Sequence, residues 1–304
     1  MAGILPARTD ADELTHGRPD PPPGTFSLAR GFDGANRENA GVCSLRRNLL
    51  VCFDLDSAPP IRPLAGQAVE ARSLTLHSAD GTAFRAFHAR PSSPTGKAII
   101  ILPDVRGLHH YYEELAQRFA ETGVEAIAID YFGRTAGVDE RGDEFDYGPH
   151  VAATTWDGIS ADFVAAADYL RGESSSAALF SIGFCMGGRN AFLSATIDQR
   201  LAGAIGFYGF PSGAGNNGSP APVDRIDRFG CPVLGIFGGA DQAIPVATVQ
   251  QFRDALQAAG IEQEIVVEPD APHSFFDRKA AEYQTQSDDA WARVRRFIDN
   301  HGAN

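Results

Sequence analysis

The chain has few cysteines and no long apolar run. Its four cysteines, at positions 43, 52, 185 and 231 of 304 residues, are too few and too irregularly spaced for a disulfide framework. No stretch reaches the roughly 18 apolar residues that a membrane span needs. The N-terminus also lacks the charged and then apolar segments of an export signal. We therefore expect a soluble cytoplasmic protein with reduced thiols.

Basic residues are scarce as well. Lysine and arginine together number 26 against 39 aspartates and glutamates, a net charge of −13, and no basic run occurs. This argues against a nucleic-acid partner, which needs a basic surface. No phosphate loop with a lysine is present, and the adjacent His109 and His110 would point apart, with no Cys/His cluster elsewhere. We expect no metal or cofactor, a small-molecule partner, and a monomer or small homo-oligomer.

Residues 1–66 differ in composition from the rest. Proline and glycine recur there, as in Pro21–Gly24 and Pro59–Pro60, and no strand or helix period persists. We interpret this region as an extension largely without its own core. Only Leu49–Leu55 could form a short strand, packed on the main body. Residues 67–304 form the predicted main domain.

Beyond residue 70, short apolar runs alternate with amphipathic helical segments. This rhythm predicts an α/β fold with a mostly parallel central sheet and helices on both faces. An opening hairpin turns at Asp80–Gly81, and residues 133–157 are the expected lid or pocket wall. The predicted strands are Ser73–His77, Phe84–His88, Ala98–Leu102, Glu125–Ile129, Ala178–Ile182, Ala202–Phe207, Val233–Phe237 and Glu264–Val267. The predicted helices are Tyr111–Glu121, Ile159–Arg171, Met186–Thr196, Val246–Ala259 and Lys279–Asn300.

One buried strand leads directly into a glycine-rich turn and a helix. The turn reads Gly-x-Cys-x-Gly around Cys185, the nucleophile-elbow pattern with cysteine in place of serine. Gly183 and Gly187 are small enough to let the backbones pass closely. The backbone N–H of Met186 can then stabilise an oxyanion, and the helix N-terminus favours thiolate. A small buried structural cysteine is the alternative.

An acid and a histidine follow the candidate nucleophile in the order that this fold requires. Asp241 comes after the strand Val233–Phe237, and His273 lies on a loop before the last helix. His273 can take and return a proton while Asp241 fixes its tautomer. Asp270 is a rival acid, but it lies only three residues from His273 in the same loop.

These motifs resemble those of the dienelactone hydrolase family, the carboxymethylenebutenolidases, over residues 70–300. The resemblance rests on Gly183–Gly188, Pro103–Leu108, Asp130–Gly133 and His273–Phe275. It implies an α/β-hydrolase fold with a triad of Cys185, Asp241 and His273. It further implies that Asp104 accepts the thiol proton at rest, and that the Val105 N–H is the second oxyanion donor.

The same resemblance implies arginines that bind a substrate carboxylate, and here the chain departs from the family. One such position, four residues after the histidine, is Asp277, with Arg278 one step later. Arg106 and Arg134 are the candidate replacements, because a guanidinium suits a carboxylate. The neighbours of the nucleophile and the histidine, Phe184 and Phe275, are further candidate substrate contacts.

The sequence therefore predicts a hydrolase that opens a small ester or lactone through a thioester acyl-enzyme. A general carboxylesterase or thioesterase would use the same residues with a wider acyl pocket. In a non-catalytic ligand-binding protein of the same fold, the triad residues would be present but would catalyse no reaction.

Overall fold

The structure is a computed structural model that describes residues 53–64, 69–173, 178–197, 200–215 and 217–302. It also describes the backbone of two short strands, β1 (Leu45–Arg46) and β2 (Leu49–Leu50), which pair antiparallel. The rest of the predicted N-terminal extension lies outside the described residues. The first two residues of the expected Leu49–Leu55 strand thus form β2, which is described as Leu49–Leu50.

An eight-stranded sheet forms the centre of the described chain, in the order β10-β9-β8-β7-β5-β6-β4-β3. β3 pairs antiparallel with β4, and β4 pairs antiparallel with β6. The other neighbours run parallel. The strands are β3 (Val69–His77), β4 (Ala83–Pro91), β5 (Lys97–Leu102), β6 (Val124–Ile129), β7 (Ala178–Phe184), β8 (Gly203–Phe207), β9 (Val233–Gly238) and β10 (Gln263–Glu268).

Helices connect the strands. They are α1 (His110–Glu121), α2 (Gly133–Ala136), α3 (Tyr147–Ala153), α4 (Trp156–Glu173), α5 (Met186–Ser194), α6 (Val246–Ala258) and α7 (Gln284–His301). Two 3₁₀ turns, Pro222–Arg228 and Ala281–Tyr283, complete the described elements.

Alternation along β7 places helices on both faces of the sheet. Phe180 contacts Phe297 of α7, whereas the next residue, Ser181, hydrogen-bonds Ser194 of α5. Because successive strand side chains point to opposite faces, α5 and α7 cover opposite sides. The central strands are buried on both faces, which explains why β5 and β6 read as almost continuous apolar runs. The predicted mixed sheet is confirmed.

Element positions follow the sequence pattern closely, and the largest difference is the start of α7. The predicted helix begins at Lys279, but the observed one begins at Gln284. Asp277 Oδ1 accepts the backbone N–H of Lys279 at 3.1 Å, and a 3₁₀ turn fills the remaining positions. Residues 133–157 contain α2 and α3, and their predicted role as a lid or pocket wall stays a prediction. Among the described helices, none has an apolar stretch sufficient to traverse a bilayer.

Candidate active site

Cys185 lies where β7 turns into α5. Its dihedrals are φ 54° and ψ −112°, a combination that costs an L-residue roughly 1–3 kcal/mol. Gly183 and Gly187 permit the turn, because a Cβ on either would overlap neighbouring backbone. The Cys185 N–H donates to the Phe207 carbonyl at 3.0 Å, which fixes the turn to β8. The side chain of Cys185 thus projects from a sharp strand-to-helix turn.

The structure brings the three residues of the predicted triad together. His273 Nδ1 lies 2.7 Å from Asp241 Oδ2, and the imidazole also hydrogen-bonds the Cys185 side chain. Asp241 Oδ1 accepts the N–H groups of Ala243 at 2.8 Å and Ile244 at 3.2 Å, which orients the carboxylate. Since Nδ1 faces the acid, Nε2 is the ring nitrogen available to the sulfur.

The rival acid takes no part in this arrangement. Asp270 is exposed, with φ 58°, in the turn after β10. The carboxylate that hydrogen-bonds His273 is that of Asp241, which is buried. Asp241 is therefore the acid of the triad candidate.

The electrostatic surroundings of His273 and Cys185 favour a protonated imidazole next to a thiolate. Burial alone would lower the pKa of His273, because the charged form loses more hydration. The Cys185 sulfur and the Asp241 carboxylate outweigh burial and raise the pKa of His273 to about 10. The N-terminus of α5 further favours thiolate. By contrast, burial without a partner raises the pKa of Cys231 to about 12.

The two predicted oxyanion donors lie on segments that pack against each other. Met186 is the first residue of α5, so its N–H has no acceptor within the helix. Val105 lies in the loop after β5. The carbonyls of Leu102, the last residue of β5, and of Pro103, the first of the loop, lie so close to Gly187 that no Cβ would fit there. The loop is thus held beside the elbow. The donor roles themselves stay predictions.

The carboxylate of Asp104 is fully buried and faces its own loop. Its Oδ1 accepts the Arg106 backbone N–H at 2.9 Å and lies 3.6 Å from His109 Nε2, and its Oδ2 lies 3.6 Å from Arg106 Nη2. Burial would raise the pKa of Asp104, but Arg106 and His109 overcome this and lower it. A lowered pKa opposes the acceptance of a proton from Cys185 that the family resemblance implies.

The two candidate substrate-binding arginines differ in how many hydrogen bonds their guanidinium groups already make. Arg134 donates to Asp80 and Asp162, so its charge is matched away from the triad. Arg106 is buried, and its Nε and Nη2 have no hydrogen-bond acceptor among the described residues. Asp277 accepts a hydrogen bond from Ser57 and so faces that segment.

The two candidate aromatic contacts belong to the core. Phe184 and Phe275 are both 0 % exposed, which leaves neither ring a surface to offer a substrate. The rings beside the imidazole are Tyr208, at 4.9 Å between centroids, and Phe210, at 6.0 Å; Tyr208 is also 0 % exposed, whereas Phe210 is partly exposed. Sequence reasoning missed both. Their position directly after β8, the strand next to the elbow strand, is the signal that could have found them.

Arg189 of α5 was also missed. Its buried guanidinium donates to the Ser219 hydroxyl and to five backbone carbonyls after β8. The carbonyls are those of Phe210, Ser212, Gly213, Ser219 and Pro220. Burial lowers its pKa to about 10. Arg189 thus ties the elbow helix to the segment that carries Phe210.

A glycine-rich loop follows β8 in the same region. Gly213, Gly215 and Gly218 have the spacing of a dinucleotide loop. That loop leads into the 3₁₀ turn Pro222–Arg228 rather than a long helix, and Arg189 already uses its carbonyls. No group of three potential metal ligands occurs within the described part of the chain.

A mostly parallel sheet with a strained elbow, followed along the chain by an acid and a histidine, defines an α/β-hydrolase. The dienelactone hydrolase family model matches residues 84–302, and the chain belongs to that family. The protein is accordingly a carboxylic ester hydrolase.

Individual relatives agree with this assignment. An Escherichia coli protein provisionally named a carboxymethylenebutenolidase is 30% identical over 257 residues, covering 81% of this chain and 95% of its own. A Methylorubrum extorquens protein with the same provisional name is 29% identical over 289 residues, covering 89% and 98%. The crystal structure of a provisionally named dienelactone hydrolase from Klebsiella pneumoniae has a TM-score of 0.69 and 31% identity, covering 76% of this chain and 99% of that one.

Proposed function

We propose that this protein hydrolyses a small ester or lactone through a thioester on Cys185. The observation that carries the proposal is the hydrogen-bonded chain from Cys185 through His273 to Asp241 at a strained elbow. A cysteine in such a position is activated by the adjacent imidazole and the helix N-terminus.

Acylation begins from the thiolate. The Cys185 sulfur attacks the carbonyl carbon, and the carbonyl electron pair moves to oxygen. The Met186 and Val105 N–H groups stabilise the resulting oxyanion by hydrogen bonds. When the carbonyl re-forms, the bond to the leaving oxygen breaks. That oxygen takes a proton from the His273 imidazolium, which leaves a thioester and a neutral imidazole.

Deacylation reverses these roles with water. Neutral His273 accepts a proton from water as the oxygen attacks the thioester carbonyl. Collapse of this second tetrahedral intermediate breaks the carbon–sulfur bond and releases the carboxylic acid. The thiolate and the imidazolium are then restored, with Asp241 stabilising the imidazolium throughout.

A small substrate fits the enclosure of the site. Cys185 is 3 % exposed and His273 is 8 % exposed, so a bulky acyl group would meet the walls around them. Arg106 is the proposed contact for a polar or acidic substituent, because its Nε and Nη2 make no hydrogen bond among the described residues, with Nη2 at 3.6 Å from Asp104 Oδ2. This surrounding is compatible with a short ester or with a lactone that bears a carboxylate.

The test follows hydrolysis of a dienelactone and of a short p-nitrophenyl ester in parallel. Cys185→Ala and His273→Ala should each lower kcat by about 10⁴-fold, the scale seen when a triad member is removed. Cys231→Ala is the matched control, since Cys231 is the other thiol in the described region and is also buried. It should retain wild-type rates.

The rival functions give distinct results. Cleavage of only the p-nitrophenyl ester, lost in both triad variants, would support a general carboxylesterase or thioesterase. A Cys185→Ala protein as active as the wild type would refute the proposed nucleophile. Absence of both activities would favour a ligand-binding role.

A further inference from the structure

A short segment ahead of the sheet lies against the loop that carries His273. We call residues 53–60 the strap. Ser57 Oγ donates to Asp277 Oδ2 at 2.6 Å, and the Ala58 carbonyl accepts the Arg278 N–H at 2.9 Å. Ser57 and Ala58 are each 2 % exposed, so the strap side of both bonds is buried, and the Ser57–Asp277 bond is partly buried.

The strap also reaches the same loop through an aromatic contact. The ring of Phe53 stacks on that of Tyr111, with 4.0 Å between centroids and 15° between planes. Tyr111 in turn donates its hydroxyl to the Phe276 carbonyl at 2.6 Å. Phe53 further contacts the edge of Phe184, the residue before Cys185. The strap is thereby anchored between the two halves of the candidate active site.

The loop needs such support because its own structure is strained. Between β10 and the 3₁₀ turn at Ala281, two residues with side chains, Asp270 and Ser274, have positive φ values of 58° and 63°. Each such conformation persists only where the surroundings enforce it. Ser274 directly follows His273, so relaxation there would rotate the imidazole away from Asp241.

We propose that the strap is a positioning element for His273, with Ser57 as its central residue. This inference rests on the proposed function of Cys185 and His273. By fixing the loop at Phe276–Arg278, the strap holds the imidazole in reach of both the Asp241 carboxylate and the Cys185 sulfur. The ion pairs of Lys279 with Asp54 and Asp56 are exposed and add little.

The test compares Ser57→Ala and Phe53→Ala with Leu55→Ala in the full chain. Leu55 belongs to the same strap but is 58 % exposed, which makes it the matched control. The readouts are the pH dependence of kcat/KM, the pH dependence of Cys185 alkylation by iodoacetamide, and the thermal midpoint. Alkylation follows the sulfur–imidazole pair and requires no turnover.

Ser57→Ala should lower kcat about tenfold, the scale of one lost hydrogen bond. Its activity should fall off at a lower basic pH than that of the wild type, because a misplaced imidazole loses part of the support of Asp241. Its Cys185 alkylation should require a higher pH. Ser57→Thr, which restores the hydroxyl, should recover both profiles, and Leu55→Ala should match the wild type.

A Ser57→Ala protein with both wild-type pH profiles would overturn the positioning role, even if its thermal midpoint fell. The positioning role would also be refuted if Leu55→Ala shifted the profiles as much as Ser57→Ala. Failure of the proposed function would look different: hydrolysis would survive Cys185→Ala, while the alkylation profiles would still report whether the strap positions His273.

Discussion

At the scale of single residues, the proposed chemistry depends on two buried groups, the Cys185 sulfur and the His273 imidazole. Cys185 keeps a conformation that only a tightly packed turn sustains, and His273 keeps a pKa of about 10. The ordinary imidazole pKa is 6.5. His273 is therefore protonated at neutral pH, and the sulfur that faces it is favoured as thiolate.

This shift makes a prediction about pH. The folded-state pKa of His273 lies above the unfolded value, so its contribution to stability is complete below pH 6.5 and is lost as the pH rises through about 10. Activity should decline over the same basic range, because the proposed mechanism requires the imidazolium to protonate the leaving group. Profiles of kcat/KM and urea unfolding at neutral and basic pH measure both effects.

Asp241→Asn supplies the comparison for this pH dependence. It removes the carboxylate that supports the imidazolium, so the basic decline in activity should move to lower pH and the rate should fall by about 10⁴-fold. A wild-type enzyme whose activity already declines near pH 7 on the basic side would contradict the raised pKa of His273.

The placement of some side chains could be predicted from the sequence, and that of others could not. The order Cys185, Asp241, His273 follows from the connectivity of the fold, so it is visible in a linear pattern. The partners of Asp104 and Arg134 depend on which way each side chain turns in the folded loop. Spacing along the chain carries no information on side-chain direction. The substrate-binding residues were therefore harder to predict than the triad candidate.

At the scale of elements, Arg189 links the elbow helix to the segment after β8. Among the described hydrogen bonds, Arg189 is the cationic side chain that donates to these five carbonyls. Phe210 of the same segment lies beside His273. Asn217 of the same segment donates to Thr154 at the end of α3 at 2.9 Å. The arginine thus supports a wall shared by the elbow and the region predicted as a lid.

Arg189→Met should destabilise the protein by about 2–4 kcal/mol, since it removes all the hydrogen bonds that the buried guanidinium donates to this segment. It should also raise KM, because Phe210 would lose its fixed position. Urea unfolding and steady-state kinetics test these effects. Arg295→Met is the control, since Arg295 is exposed on α7 and should change neither quantity. Equal stability of the two variants would contradict the linking role of Arg189.

Strands and helices were predictable because periodicity is a local property. β5, β6 and β7 are apolar runs within a doubly covered sheet, and their predicted and observed bounds differ by at most two residues. The first turn of the last predicted helix was wrong for a reason that is only partly local. Asp277 binds Ser57, 220 positions away in the chain, as well as the Lys279 N–H.

At the scale of the whole molecule, the described part of the N-terminal extension is joined to the hydrolase body. Phe53 contributes its buried ring to the same core as α1 and β7. A boundary at residue 66 follows composition, but these contacts cross it. Composition alone could not predict them, because proline-rich segments either fray or dock according to the surface that they meet.

The most direct test of a thioester on Cys185 is intact-protein mass spectrometry during turnover of a p-nitrophenyl ester. Rapid acid quenching should reveal a mass increase equal to one acyl group. Peptide mapping should place it on Cys185, neutral hydroxylamine should remove it, and Cys185→Ala should lack it while Cys231→Ala retains it. Turnover without any adduct at the earliest quench times, or an adduct on another residue, would contradict Cys185 as the nucleophile.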